Sequence, residues 1–247
     1  MQDMNFAVDL EQLLEAGCHF GHQARRWNPK MAPYIYAERD GVHIFDLAKT
    51  AAQLEIACGM LYEAASNGKS VVFVGTKRQA QSIVSEEAVA AGAMYITTRW
   101  PGGLITNWEQ VGKSVKKLGD RKREKAEGKY TMYTKKENVL IDREIAKLER
   151  FFGGITSLTK IPDVLVVIDV NKEIVAVKEA RSRGTLVIAV CDSNVNPDLV
   201  DVVIPANDDA VGSLKLIVAT LAKAYKEGRA IASKTEAKVE TKKQVKE

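Results

Sequence analysis

The chain has 247 residues, 46% of them hydrophobic, and a formal net charge of +4, enough for one large domain with an appendage or for two modest domains. No apolar run approaches the roughly 20 residues of a membrane span, and MQDMNFAVDL lacks a basic-then-apolar leader, so a cytoplasmic protein is expected. Three scattered cysteines, Cys18, Cys58 and Cys191, argue against a disulfide framework.

In chain order, Asn5 to Glu15 predicts a short amphipathic helix with Phe6, Leu10, Leu13 and Leu14 on one side. Asp9 is its cap and Gly17 its end. Arg25, Arg26, Trp27, Asn28 and Lys30 then put cations and a flat ring in one loop, a mixture suited to RNA phosphates and exposed bases. Trp27 also reads as an anchor of that loop on the core. Pro33 to Ala37 and Val42 to Phe45 predict two strands joined through Asp40-Gly41. Asp46 caps a long helix, Leu47 to Ser66, stopped by Asn67-Gly68.

Val71 to Val74 is a continuous β-branched and aromatic run, as in a strand buried on both faces. A helix over Gln79 to Ala91 and a strand over Met94 to Ile96 follow. Leu104, Trp108, Val111, Val115 and Leu118 then recur at spacings of four and three, as do Ile141, Ile145, Leu148 and Phe152. Those spacings predict two arms of an antiparallel coiled-coil hairpin turning within Lys125 to Thr134, with lysines and arginines outward. Gly112 and Gly119 weaken the first arm. Strands at Val164 to Val170, Leu186 to Val190 and Val202 to Ile204 alternate with helices at Lys172 to Arg183 and from Asn207 to about Lys226. The alternation means a parallel sheet covered by helices on both faces. From Gly228 the chain has almost no large apolar residues and reads as a disordered tail.

Positive charge is concentrated in two places. Residues 113 to 150 hold 13 Lys and Arg against 7 Asp and Glu, and residues 229 to 247 hold 6 against 3. Either these segments meet a polyanion, or both are simply solvated surface.

Signs of catalysis are weak. GTK after the first parallel strand invites a nucleotide, yet neither G-x-x-x-x-G-K-[ST] nor G-x-G-x-x-G is present. Cys18, His19 and His22, with Cys191 or Asp192 as a further donor, offer ligand types for zinc at a spacing that matches no structural zinc pattern. His43 reads as structural. Asp192, Asp198, Asp208 and Asp209 stand in turn-forming or helix-starting contexts, so structural roles outweigh magnesium binding or acid-base work. Trp100 is expected to pin the junction where the hairpin leaves the sheet, and Trp108 to lie in the hairpin core.

Four separated motifs carry a resemblance: GCHFGHQARRWNPKMAPYIYAERDGVHIFDLAKT, FVGTKRQAQ through RWPGGLITNW, IPDVLVVIDVNKE, and CDSNVNPD with IPANDDAVGSLKL. With these the chain resembles the ribosomal protein S-two family of the bacterial small subunit over nearly all of residues 5 to 226. The resemblance implies a flavodoxin-like, Rossmann-like three-layer αβα domain from 1–103 and 153–227. It further implies a hairpin inserted at 104–152, followed by the tail at 228–247. It implies a structural role on the solvent side of the subunit, between head and body, with no enzymatic activity, cofactor, bound nucleotide, metal or membrane. Its partners would be small-subunit ribosomal RNA, neighbouring proteins and ribosomal protein S-one, whose recruitment it would support. Charge and placement nominate Arg25, Arg26, Lys30, Arg99, Lys113, Lys116, Lys117, Arg121, Lys122 and Arg123 as RNA-facing.

Overall fold

The computed structural model describes residues 6–244, with side chains through 233. Five strands form one parallel sheet: β4 (Val71–Val74), β5 (Met94–Ile96), β6 (Val164–Ile168), β7 (Leu186–Cys191) and β8 (Val202–Pro205). Their spatial order is β5-β4-β6-β7-β8, so the sheet grows outward both ways from the first strand formed, the Rossmann-like order that places a switch point between β4 and β6. A separate antiparallel sheet has the order β1-β3-β2, with β1 (Phe20–Gln23), β2 (Ile35–Arg39) and β3 (Val42–Phe45). Asp40 and Gly41 take φ of 52° and 73°, so both central residues of the β2–β3 turn are left-handed, as a tight hairpin requires. The sequence gives no warning of β1, because Phe20-Gly21-His22-Gln23 has no apolar period.

Every residue of β4, β6 and β8 is buried, and their side chains alternate between two cores. Val71, Phe73, Val164, Val166 and Ile168 meet α2 (Leu47–Ser66), α3 (Gln81–Ala91) and α7 (Val211–Gln244) on one face. Val72, Val74, Leu165 and Val167 meet α6 (Ile174–Arg183) on the other, together with Leu104, Ile105, Ile155 and Leu158. Two-sided burial is what drives these runs to be apolar without alternation.

Three expectations need correction. In α1 (Leu10–Glu15), capped by Asp9, only Leu13 is buried; Leu10 and Leu14 stay exposed because six residues cannot turn a wide stripe onto the core. In α4 (Trp108–Ala126) and α5 (Lys135–Phe152), Val115 and Leu118 are buried, but no residue of α5 is. Ile141, Ile145, Leu148 and Phe152 are half-covered, and ion pairs also join the two helices. Finally, α7 runs on to Gln244, where a helix end near Lys226 and a disordered tail were expected. Gly228 lies over α2, with space for no Cβ beside that of Ala65 at 2.9 Å, and the Arg229 guanidinium donates to the Gly92 carbonyl. The Lys-Glu-Ala composition of this segment serves a solvated helix as well as a disordered chain. Residues 245–247 of the expected tail, and Asn5 of the first predicted helix, lie outside the described residues.

Candidate nucleic-acid interface

The carboxyl ends of the strands, where sheets of this order bind ligands, are filled by the chain's own charges. Thr76, just past β4, donates its backbone N–H to Glu173 at 3.1 Å and its hydroxyl to the same carboxylate. The Lys77 ammonium lies 2.6 Å from both Asp208 and Asp209 and 3.4 Å from Asp169. Burial pulls the Lys77 pKa down, but the hydrogen bonds it donates to Asp208 and Asp209 and the charges of Asp208 and Asp169 outweigh it and leave it raised. Burial pushes Asp208 up to about 7, with Asp192 and Asp169 adding to the rise and Lys77 opposing it. A nucleotide phosphate entering here would face Asp169, Asp192, Asp208 and Asp209, which opposes its binding.

The same cluster ties the small sheet to the large one. Asp192, 1% exposed, accepts from the His22 backbone N–H at 3.0 Å and from its Nδ1 at 2.9 Å. The Asp192 hydrogen bond raises the His22 pKa; burial opposes the shift, and the charges of Asp192, Asp208 and Asp209 add to it. One ligand atom each from His22, Asp208 and Asp209 lies within 4.8 Å of the others, and the Lys77 ammonium already stands between the two carboxylates. The cysteines do not join them: Cys18 and Cys191 are buried in opposite cores, and burial raises both thiols. His43 is buried against Trp27 with ring centroids 4.9 Å apart, which anchors that loop as expected.

The segment from Trp100 to Thr106, which leads into α4, is held chiefly by one side chain, with Arg183 donating to the Thr106 carbonyl at 3.2 Å. Glu179 on α6 accepts from Trp100 Nε1 at 3.2 Å, Gly103 N at 2.8 Å, Ile105 N at 3.2 Å, and both the backbone N–H and hydroxyl of Thr106. Trp100 therefore does pin the junction, but through a partner 79 residues away that sequence reasoning missed. Nothing in KEARSR marks Glu179 among the other charges of α6.

The ten nominated cations fall into two groups. Lys30 pairs with Asp198, and Arg25 bonds Gln23 at 3.0 Å. Lys117 and Arg121 pair with Glu144, Lys122 with Glu149, and Arg123 with Asp120 at 2.9 Å. By contrast Arg26, Arg99, Lys113 and Lys116 are exposed and make no ion pair among the described residues. Lys113 and Lys116 share a face of α4 beside Trp108, which the structure leaves half-buried at a groove rather than inside a hairpin core.

The strand order, the self-neutralised strand ends and the basic helices α4 and α5 define an α/β protein with two basic helices set between β5 and β6. The family model described as ribosomal protein S2 matches residues 13–228, and the chain belongs to that family. Its members are structural, non-enzymatic constituents of the small ribosomal subunit. No helix among the described residues is long and apolar enough to cross a membrane.

Proposed function

We propose that this chain binds ribosomal RNA within the small subunit of a cytoplasmic ribosome, holds neighbouring proteins in register, and supports recruitment of ribosomal protein S-one. The observation that carries the RNA part is that four of the nominated cations, Arg26, Arg99, Lys113 and Lys116, are exposed and make no ion pair among the described residues. Such groups neutralise phosphates and release counterions without first breaking a bond within the protein. Lys30, Lys117, Arg121, Lys122 and Arg123 would contact RNA by exchanging or sharing their carboxylates, and Arg25 by leaving Gln23. In this reading α4 and α5 form an inserted coiled-coil hairpin whose basic flank meets RNA. The S-one part rests on family membership. Enzymatic activity has no support at the strand ends, where carboxylates oppose a phosphate.

Density-gradient sedimentation of a lysate tests the reading. The chain should co-migrate with the small subunit in near one-to-one ratio, and Lys113→Glu with Lys116→Glu should reduce its incorporation several-fold. Full incorporation of that double variant would remove α4 from the RNA interface. Subunits assembled without the chain should carry less S-one, and an unchanged amount would remove the recruitment role.

A further inference from the structure

Two grooves run end to end along α4. One, of about 450 Å³, is bounded by Trp108, Glu109, Gly112, Lys113 and Lys116 on the helix and by Thr156, Leu158 and Thr159 opposite. The next, of about 410 Å³, is a shallow face of α4 itself, where Asp120 and Glu124 stand among Lys113, Lys116, Lys117 and Arg121. Trp108 packs one side against the core below the sheet, and the rest of its indole forms a wall of the first groove. Its Nε1 has no hydrogen-bond partner among the described residues, in contrast to that of Trp100. Gly112, one turn on, explains how the indole fits: a Cβ there would stand 3.1 Å from Trp108 Cε2. A glycine that costs helix stability thus makes room for the edge of the ring beside the helix.

An aromatic wall with free cations at one end is the chemistry of single-stranded nucleic acid binding, in which a base stacks and the backbone follows positive charge. Paired bases in an RNA duplex present no free face to such a wall. Glu109 adds an acceptor suited to the exocyclic amino group of a base edge. We propose that these paired grooves hold a short unpaired segment of RNA, one base against Trp108 and the phosphates that follow along Lys113, Lys116 and Arg121. The proposal rests on the RNA-binding reading above and adds where an unpaired base is held, and by which ring.

The test uses the full chain with single-stranded RNA carrying 5-iodouridine, irradiated and mapped by mass spectrometry, with duplex RNA as competitor. The adduct is expected on the peptide containing Trp108, and duplex should compete poorly. Trp108→Ala should weaken single-strand binding roughly tenfold, while Trp108→Phe restores most of it, which separates stacking from damage to α4. Lys113→Glu with Lys116→Glu should lower the salt slope for single strands by about 1.4. RNA retained with adducts only at Trp27 or elsewhere, or duplex competing equally, would overturn the groove assignment and leave the RNA-binding reading standing. Failure to bind either RNA, in a chain that also does not sediment with the small subunit, would overturn both.

Discussion

Glu179 makes one side chain responsible for the path of seven residues. It accepts five hydrogen bonds from the stretch between Trp100 and Thr106, to which Arg183 adds one on the Thr106 carbonyl. Burial raises its pKa, but the donors from Gly103, Trp100, Ile105 and Thr106 outweigh burial and hold the carboxyl below its ordinary 4.5. A depressed folded pKa contributes stability that is complete above the unfolded value and is lost as pH falls through the folded one. Glu179→Ala should therefore cost about 2–4 kcal/mol in urea unfolding near neutral pH, and the gap from the parent should narrow in acid. A gap unchanged below pH 4.5 would show that the charge plays no part. Asp208 works with the opposite sign. Its folded pKa of about 7 exceeds the ordinary 3.8, so the folded state holds the proton more tightly and stability falls as pH rises through that window. His22, raised above 6.5 by Asp192, loses its contribution in the same direction as pH rises through its folded value. Thermal melts of Asp208→Asn should lose less stability than the parent between those two pH values. An equal loss would place the sensitivity elsewhere.

At the scale of the element, α4 contains two glycines that the sequence treats alike and the structure does not. A Cβ at Gly119 would meet nothing within 4 Å, whereas one at Gly112 would meet the Trp108 indole. Gly119→Ala should stabilise the helix by about 0.5–1 kcal/mol, and Gly112→Ala should fail to do so because the ring must move. Circular dichroism melts of the two variants decide this, and equal gains would mean that Trp108 does not rest on Gly112. The element boundaries were largely legible: Leu47–Ser66, Val71–Val74 and Met94–Ile96 match their predicted spans because caps, turns and unbroken apolar runs are local signals. What was not legible depends on partners distant in sequence. Glu179 gives no sign of its five donors, the half-covered α5 stripe looks the same in sequence as a buried one, and Lys77 could not be known to face three carboxylates.

For the whole molecule, the last helix matters more than its composition suggests. Leu214, Ile217, Val218 and Leu221 of α7 are fully buried and complete the core shared with α2 and α3. Past them, Gly228 passes close over α2 and Arg229 reaches the Gly92 carbonyl at the end of α3. Gly228→Val should push α7 off α2 and cost on the order of 1–3 kcal/mol, read as a lower denaturant midpoint. No change would mean that this end of the helix contributes nothing to the fold. The same feature sets an order of events during synthesis. Strands β4 to β8 leave the ribosome before α7 does, so the face of the sheet that α2, α3 and α7 share stays only partly covered until the final helix arrives. The chain thus passes through a period in which it is adhesive before it is complete, and premature arrest between β8 and α7 would release a form prone to aggregate rather than a smaller working protein.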